Sequence, residues 1–259
     1  MSFKYSANVG FLWDHLPLPE RIRAAATAGF DAVECHFPYE YTQIEIKDVL
    51  DATGMSMLGL NTALGPDGNF GLAAIAGQES RARELIDQAI NYAAGIGASN
   101  VSVVAGLTGG AKNAQKVYID NLKYACDVAG GHGITIMIEP LNPRAVADYH
   151  FSTVEQAVDI IDGVDADNMK LMFDFFHAQI VQGDLETLIR EYVDYFAHIQ
   201  ISAVHDRGEP NECEINYPYV LGVLQNAGYK GFIGAEYKPR GSTVESGLAW
   251  LHEFRKLQT

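Results

Sequence analysis

Four short apolar segments each end in a residue with a side-chain oxygen, and this feature constrains the fold most. In the first, an apolar run after Gly133 leads into Glu139 and Pro140. The other three are 170–174, 197–200 and 232–236, which end in Asp174, Gln200 and Glu236. Such apolar runs are typical of parallel strands covered on both faces. The intervals of 35, 26 and 36 residues are close to the roughly 30 residues of one strand–helix unit in a barrel. We predict four consecutive strand ends of one barrel.

The rest of the chain alternates between predicted strands and helices. The earlier strands are predicted at 5–9, 32–36, 56–61 and 100–105. The helices are predicted at 19–29, 44–53, 79–96, 114–129, 152–161, 185–192, 217–227 and 243–255. Capping boxes are predicted at Ser152 with Glu155 and at Ser242 with Glu245. Eight strands in strict alternation with eight helices predict an α/β fold, a single (β/α)8 TIM barrel domain over residues 1–259.

The composition limits the partners of this protein. With 33 acidic and 18 basic residues, its net charge of −15 repels a nucleic acid backbone, so we expect no nucleic acid partner. No apolar run approaches the ~18 residues of a membrane span, and the first residues do not resemble a signal peptide. We therefore expect a cytoplasmic protein that binds no membrane, and a homo-oligomer stays open.

Glu139, Asp174, Gln200 and Glu236 should converge, because the carboxyl ends of barrel strands share one mouth. Three buried carboxylates without a cation would be very costly, so they either bind a metal or pair with basic residues. Oxygen-only ligands favour Mg²⁺ or Mn²⁺ over zinc. Each carboxylate alone could be a solvated loop residue, but four oxygens at corresponding strand ends predict a metal site.

Candidate substrate-binding residues lie beside these strand ends. His177 follows Asp174 by three residues, and Arg207 has the fork geometry suited to a carboxylate. Each of them could instead have a structural role or form a surface salt bridge. Glu34 and His36 end the second strand and could line the same pocket, although packing or solvation explains them more simply. The predicted substrate-binding residues are Asn61, His177, Arg207 and Lys238.

Five motifs carry a family resemblance: E-P-L-N at 139–142, D-F-F-H-A-Q at 174–179, A-H-I-Q-I-S at 197–202, E-I-N-Y-P at 214–218 and G-A-E-Y-K-P-R-G at 234–241. They resemble the hydroxypyruvate isomerase family within the xylose-isomerase-like barrels, and the resemblance covers effectively the whole chain. The resemblance implies that Glu139 and Glu236 are the acid/base pair and that Glu139, Asp174, Gln200 and Glu236 are the metal ligands. Gln200 stands where sugar epimerases of this superfamily carry His, which argues against that branch. The zinc-rich apurinic endonucleases use more histidines than these positions offer.

The predicted function is an aldose–ketose type isomerase, an intramolecular oxidoreductase that interconverts hydroxypyruvate and 2-hydroxy-3-oxopropanoate (tartronate semialdehyde). The expected mechanism passes through a metal-bound enediolate, with one glutamate removing a proton and the other returning it. A 2-oxo-tetronate isomerase would use the same chemistry and is the runner-up. More remote alternatives are a ketose 3-epimerase, a metal-dependent lyase or phosphodiesterase, and a sugar-binding barrel. Which glutamate is the base stays open.

Overall fold

The computed structural model describes residues 3–256, apart from the side chain of Asp67, and contains an eight-stranded sheet. All neighbouring strands in it are parallel, in the order β2-β1-β8-β7-β6-β5-β4-β3. The predicted strands are all present, although several are shorter than predicted. They are β1 Tyr5–Asn8, β2 Ala32–Glu34, β3 Gly59–Asn61, β4 Asn100–Ser102, β5 Thr135–Ile138, β6 Met169–Asp174, β7 Phe196–Ile201 and β8 Ile233–Ala235.

The two edge strands of this sheet, β2 and β3, approach each other and nearly close it into a barrel. The Val33 amide donates to the Ser56 carbonyl at 2.9 Å, and the Leu58 amide donates to the Val33 carbonyl at 2.7 Å. A parallel bridge also joins Val33 to Met57. The predicted TIM barrel is therefore confirmed, and all eight strands direct their carboxyl ends toward the same mouth.

Nine α-helices surround the barrel within residues 3–256, so the predicted strict alternation of eight strands with eight helices is wrong. The extra helix, α6, starts directly at the end of β6, where the Asp174 side chain accepts a hydrogen bond from the Phe176 amide at 2.8 Å. This capping contact lets the chain enter a helix without a loop. The helices are α1 Leu18–Thr27, α2 Gln43–Thr53, α3 Glu79–Ile96, α4 Ala114–Gly130, α5 Val154–Val164, α6 Phe175–Val181, α7 Leu185–Tyr192, α8 Tyr217–Asn226 and α9 Ala249–Lys256.

The capping box of α5 lies one residue later than predicted. Thr153 accepts from the Gln156 amide at 3.2 Å, and the Gln156 side chain accepts from the Thr153 amide at 3.2 Å. The predicted pair, Ser152 and Glu155, has the same spacing. Both pairs match the capping-box pattern, because Gln can replace Glu in it. The position at which the backbone becomes helical decides which pair forms the box.

The capping box predicted at Ser242 and Glu245 is absent, and α9 begins only at Ala249. Glu245 instead accepts a hydrogen bond from Trp13 Nε1 at 2.6 Å. Glu245 therefore binds a residue 232 positions away in the chain and does not cap the start of a helix, as local spacing had predicted. Residues 245–247 form a single 3₁₀ turn.

The strand alternation places polar side chains inside the barrel mouth. In β7, His198 and Gln200 face the interior, whereas Ile199 and Ile201 pack in the hydrophobic core, as the two-residue period of a strand requires.

None of the described helices has both the length and the apolarity needed to cross a membrane. The cytoplasmic location stays a prediction.

Candidate active site

A cavity of about 230 Å³ opens at the carboxyl ends of the strands. Its lining includes six of the eight predicted site residues: Asn61, Glu139, His177, Gln200, Arg207 and Glu236. Asp174 is buried behind the lining and reaches the site through its contact with Arg207. Lys238 is exposed and does not line the cavity; its Nζ lies 5.7 Å from the Phe11 ring.

Arg207 joins the two sides of the site. Its Nη2 donates to Asp174 Oδ2 at 3.0 Å and also to Glu236 Oε2. Its guanidinium carbon lies 4.9 Å from the centre of the Phe176 ring and 5.1 Å from that of Phe11. Burial opposes the charge, but the neighbouring carboxylates, Glu236 foremost, raise the pKa of Arg207 above its ordinary value. It is therefore a fixed cation within the site.

A second arginine fixes the loop that carries Arg207. Arg240 donates to Asp206 through Nε at 2.7 Å and Nη2 at 2.8 Å, and its Nη1 lies 3.3 Å from Glu209 Oε2. The hydrogen bonds from Arg240 lower the pKa of Asp206 to about 2. Arg207 itself has a φ of 60°, in the left-handed region that non-glycine residues seldom adopt. These contacts hold that conformation.

Glu236 is the most fully partnered carboxylate of the site. Asn8 Nδ2 donates to its Oε1 at 2.9 Å, and His36 Nε2 lies 2.9 Å from the same oxygen. Burial alone would raise the pKa of Glu236, but Arg207 and the hydrogen bond from His36 outweigh it and lower this pKa to about 2. Glu236 is therefore ionised at neutral pH.

Glu139 has the opposite environment. Its Oε1 is buried and has no hydrogen-bond partner within residues 3–256, and the nearest ring nitrogen, His177 Nε2, is 3.8 Å away. Burial, followed by the charges of Glu236 and Asp174, raises its pKa well above the ordinary value. Burial also raises the pKa of Asp174 to about 7, despite the opposing effect of Arg207. This side of the site therefore favours protonated carboxyl groups unless a further cation is present.

His177 is oriented as a hydrogen-bond donor toward the carboxylates. Its Nδ1 accepts from the Asn142 amide at 2.8 Å, so the proton of the neutral ring lies on Nε2. Nε2 is 3.6 Å from Asp174 Oδ2. Burial, then Arg207, lowers the pKa of His177 to about 3. An atom of His177 falls within 4.8 Å of oxygens of Glu139 and Asp174, but a protonated Nε2 cannot ligate a metal. The oxygen-only ligand set stays a prediction.

Gln200 is held by Glu34, a buried acid that also lines the cavity. Its Nε2 donates to Glu34 Oε2 at 3.4 Å, which leaves its buried Oε1 without a partner in the described part of the chain. Glu34 Oε2 also lies 2.6 Å from His198 Nε2, at a distance but not at an angle suited to a hydrogen bond. A Cβ on Gly234 would lie 2.3 Å from Glu34 Oε1, so any larger residue there would displace the Glu34 carboxylate.

Glu34 and His36 both line the cavity, as their place at the end of the second predicted strand allowed, and His36 contacts Glu236. Four other residues that shape the site are absent from the sequence prediction. Asn8 binds Glu236, Phe11 and Phe176 flank Arg207, and His198 contacts Glu34. The spacing of His198 two residues before Gln200 was a usable signal, because both must face the same side of the strand. No comparable local signal marks the other three.

The oxygens that could hold a metal ion belong to Glu139, Asp174, Gln200 and Glu236. Glu139 Oε1 and Gln200 Oε1 are buried without partners among the described residues, and an unmade hydrogen bond of this kind costs about 1–3 kcal/mol. An all-oxygen set of three carboxylates and one amide suits a hard divalent cation. The residues present therefore fit such an ion.

Comparison with known proteins agrees with this fold. Residues 22–254 match the family described as xylose isomerase-like TIM barrel. A 2-oxo-tetronate isomerase of Pectobacterium atrosepticum is 40% identical over 252 residues, 95% of this chain and 96% of that protein. The hydroxypyruvate isomerase of Escherichia coli is 33% identical over 257 residues, 97% of this chain and 99% of that protein. A crystal structure described as an AP endonuclease of family 2 from Brucella melitensis superposes with a TM-score of 0.95 at 38% identity, covering 98% and 99% of the two chains.

These matches show that the chain belongs to the xylose isomerase-like TIM barrel family. Its place among the hydroxypyruvate and 2-oxo-tetronate isomerases follows from identities of 33–40% over nearly the whole length. The predicted class, an isomerase, is confirmed. A D-allulose 3-epimerase from Methylomonas sp. shares the fold with a TM-score of 0.84, but at 18% identity.

Proposed function

We propose that this isomerase interconverts hydroxypyruvate and 2-hydroxy-3-oxopropanoate, with Glu139 and Glu236 as the proton-transferring pair. The observation that carries the proposal is the placement of two carboxyl groups at the ends of β5 and β8, on one cavity, in opposite electrostatic environments. Such pairs, whose pKa values are displaced in opposite directions, are typical of acid/base sites.

We propose Mg²⁺ or Mn²⁺ as the metal, held by Glu139, Asp174, Gln200 and Glu236. Such an ion would polarise the oxygens of the substrate and stabilise negative charge on them. Arg207 uses one oxygen of Asp174 and one of Glu236. A carboxylate offers about four lone-pair positions, so both can serve the arginine and a cation. A bound cation would also favour the ionised form of Glu139.

The substrate is proposed to bind between the two glutamates. One of them removes a proton from the carbon that bears the hydroxyl group, and the other delivers a proton to the neighbouring carbonyl carbon. The hydroxyl proton passes to the former carbonyl oxygen, which completes the exchange of the two groups. His177 Nε2–H can donate to a substrate oxygen, and Asn61 and Arg207 offer further polar contacts from the cavity wall. This positions the enediolate form of the substrate without a charge change on His177.

A second candidate substrate is 2-oxo-tetronate, which has one carbon more and requires the same chemistry. The 2-oxo-tetronate isomerases of Pectobacterium atrosepticum and Haemophilus influenzae are 40% and 38% identical to this chain, against 33% for the Escherichia coli hydroxypyruvate isomerase. The additional carbon would lie along the apolar part of the wall, which includes Phe70, Val104, Leu141, Val146 and Tyr149.

Substrate and metal can be tested together with chelator-treated protein whose metal content has been checked by elemental analysis. We expect no turnover without metal and recovery with Mg²⁺ or Mn²⁺, with three- and four-carbon 2-oxo acids ranked by kcat/KM. Full activity of metal-free protein would contradict the metal assignment. Epimerisation of a ketose, loss of water or release of phosphate would each contradict the isomerase assignment to short acids.

Turnover in D₂O tests the proton transfer itself. A proton held by a carboxyl group should exchange with solvent in some cycles, so deuterium is expected on the product carbon. Product that forms entirely without deuterium would instead support a hydride shift, or return of the proton in a site closed to solvent. Substituting Gly for Pro66 in the loop after β3 should raise exchange only in the closed-site case.

A further inference from the structure

Five side chains at the barrel mouth alternate between cations and aromatic rings. Arg144 lies 5.9 Å from the centre of the Phe176 ring, and Arg207 lies 4.9 Å from the same ring. Arg207 is also 5.1 Å from the Phe11 ring, and Lys238 Nζ is 5.7 Å from that ring. These distances are within the ~6 Å range of cation–π attraction. We call Arg144, Phe176, Arg207, Phe11 and Lys238 the cation–aromatic row.

The middle and outer cations of the row have different partners. Arg207, whose side chain is 17% exposed, is bound to Asp174 and Glu236. Arg144 and Lys238 are exposed, and neither forms an ion pair with a carboxylate within residues 3–256. Their charges are therefore free to act on a ligand that approaches the cavity.

The outer cations are also held near the mouth. Arg144 follows β5, and its Nη2 donates to the His205 carbonyl in the loop after β7 at 3.0 Å. Lys238 follows β8, and its amide donates to the Arg207 carbonyl at 2.7 Å. The nearby acids Asp206 and Glu209 are bound by Arg240, which reduces their effect on an incoming anion. The segments that follow β5, β7 and β8 thus form one positively charged rim around the cavity mouth.

This rim stands out against a net charge of −15, which repels an acidic substrate at long range. We propose that Arg144 and Lys238 attract and orient the carboxylate group of the substrate at the cavity mouth, so that they select acids over neutral sugars. The inference rests on the proposed function for its substrate class. It adds one residue, Arg144, to the predicted binding set and assigns Lys238 to the entrance rather than to the cavity wall.

Calorimetric titration of the Mg²⁺-loaded protein with tartronate, an unreactive hydroxy diacid, tests the proposal without turnover. At about 0.01 M ionic strength, Arg144→Gln and Lys238→Met should each weaken binding about two- to fivefold, the effect of one exposed charge contact. Arg144→Lys should bind as the parent does, because it keeps the charge. Lys230→Met is the matched control: Lys230 is exposed and precedes β8, at the opposite end of the barrel.

The differences should nearly vanish at about 1 M ionic strength, where the screening length is ~3 Å. Parent-like binding by both Arg144→Gln and Lys238→Met would overturn the inference. An equal loss of affinity in Lys230→Met would also overturn it, because the net charge of the protein alone would then explain the effect. So would an equal loss of affinity in Arg144→Lys, because side-chain packing rather than charge would then explain it. If the expected binding pattern appears in a protein that isomerises no 2-oxo acid, the proposed function is wrong but the role of Arg144 and Lys238 in binding an acid is supported. If the protein isomerises such acids and the pattern is absent, only the proposed role of Arg144 and Lys238 is wrong.

Discussion

The β5 side and the β8 side of the cavity carry the same residue at the same place, one position after the strand, yet they differ in charge. Glu236 after β8 has three polar partners, Asn8, His36 and Arg207, and a pKa lowered to about 2. Glu139 after β5 has a buried oxygen without a partner in the described residues and a raised pKa. Residue type and strand position therefore do not determine protonation; the neighbouring elements do.

The difference follows from the strand order. β8 lies beside β1, and β1 supplies Asn8 to Glu236. Around Glu139, the cavity lining includes Met137 and Leu141 of the same segment and Val104 after β4. An apolar surrounding penalises a charged carboxylate, whereas hydrogen-bond donors and a guanidinium stabilise it. The contrast between the two sides is thus a packing effect.

The largest expected effect is on turnover. Glu139→Gln and Glu236→Gln each keep the side-chain shape but remove the proton-transferring group, so kcat should fall about 10²- to 10⁴-fold on either side. Steady-state kinetics with Mg²⁺ would measure it, with Glu84→Gln as an exposed control on α3. Near-parental activity of either site variant would show that the two sides do not form a catalytic pair.

The same two substitutions should have different effects on the stability of the protein, although both reduce turnover. Glu236→Gln removes a charged partner of the partly buried Arg207 and should lower the free energy of unfolding of metal-free protein by about 1–3 kcal/mol. Glu139→Gln removes a carboxyl group that burial disfavours, so stability should be unchanged or higher. Urea denaturation at pH 7 with a chelator measures both. An equal loss in the two variants would contradict the electrostatic contrast.

Asp174 and Glu236 should make the stability of the protein depend on pH in opposite directions. The pKa of Asp174 is raised from its ordinary 3.8 to about 7, so between these values the folded protein holds a proton that the unfolded chain has released. Stability of metal-free protein should therefore fall as pH rises through this window. Glu236, lowered from 4.5 to about 2, has the opposite sign and gains stability as pH rises from about 2 to 4.5.

Asp174→Asn tests this assignment, because it should make the slope between about pH 4 and 7 shallower and leave the low-pH slope of Glu236 in place. The raised pKa of Glu139 contributes a slope of the same sign, which should remain. Chemical denaturation of chelated protein at half-unit pH intervals would show it. An unchanged slope in Asp174→Asn would assign the titration to another group.

The smallest expected effect comes from loosening the loop that holds Arg207. The Arg240 and Asp206 side chains are 33% and 37% exposed, so solvent screening limits their pairing to about 0.2–1 kcal/mol. Arg240→Met should lower stability within that range and reduce kcat/KM a few-fold by allowing Arg207 to move from Glu236. Thermal unfolding and steady-state kinetics measure the two effects. A loss as large as that of Glu236→Gln would show that the loop itself, rather than Arg207, supports the β8 side.

The sequence by itself determined the barrel and the position of its mouth. Strand and helix periods are local, and the rule that parallel strands end at one edge converts them into a shared site. This is why Glu139, Gln200 and Glu236 could be placed on one cavity from four apolar runs. Local rules were less reliable where two neighbouring residues satisfy the same pattern, as at the start of α5, or where a strand passes directly into a helix, as at Asp174.

Only the tertiary structure decided what each side chain contacts. Asn8 and Glu236 are 228 residues apart, and no local pattern links them. Arg207 bridges two carboxylates because the Arg240 contacts hold its loop. Lys238 lies exposed beside the Phe11 ring at the mouth, and not in the cavity wall that its position beside Glu236 had predicted. Protonation, hydrogen bonding and exposure depend on atoms within a few ångströms, and the closing of the barrel brings those atoms together.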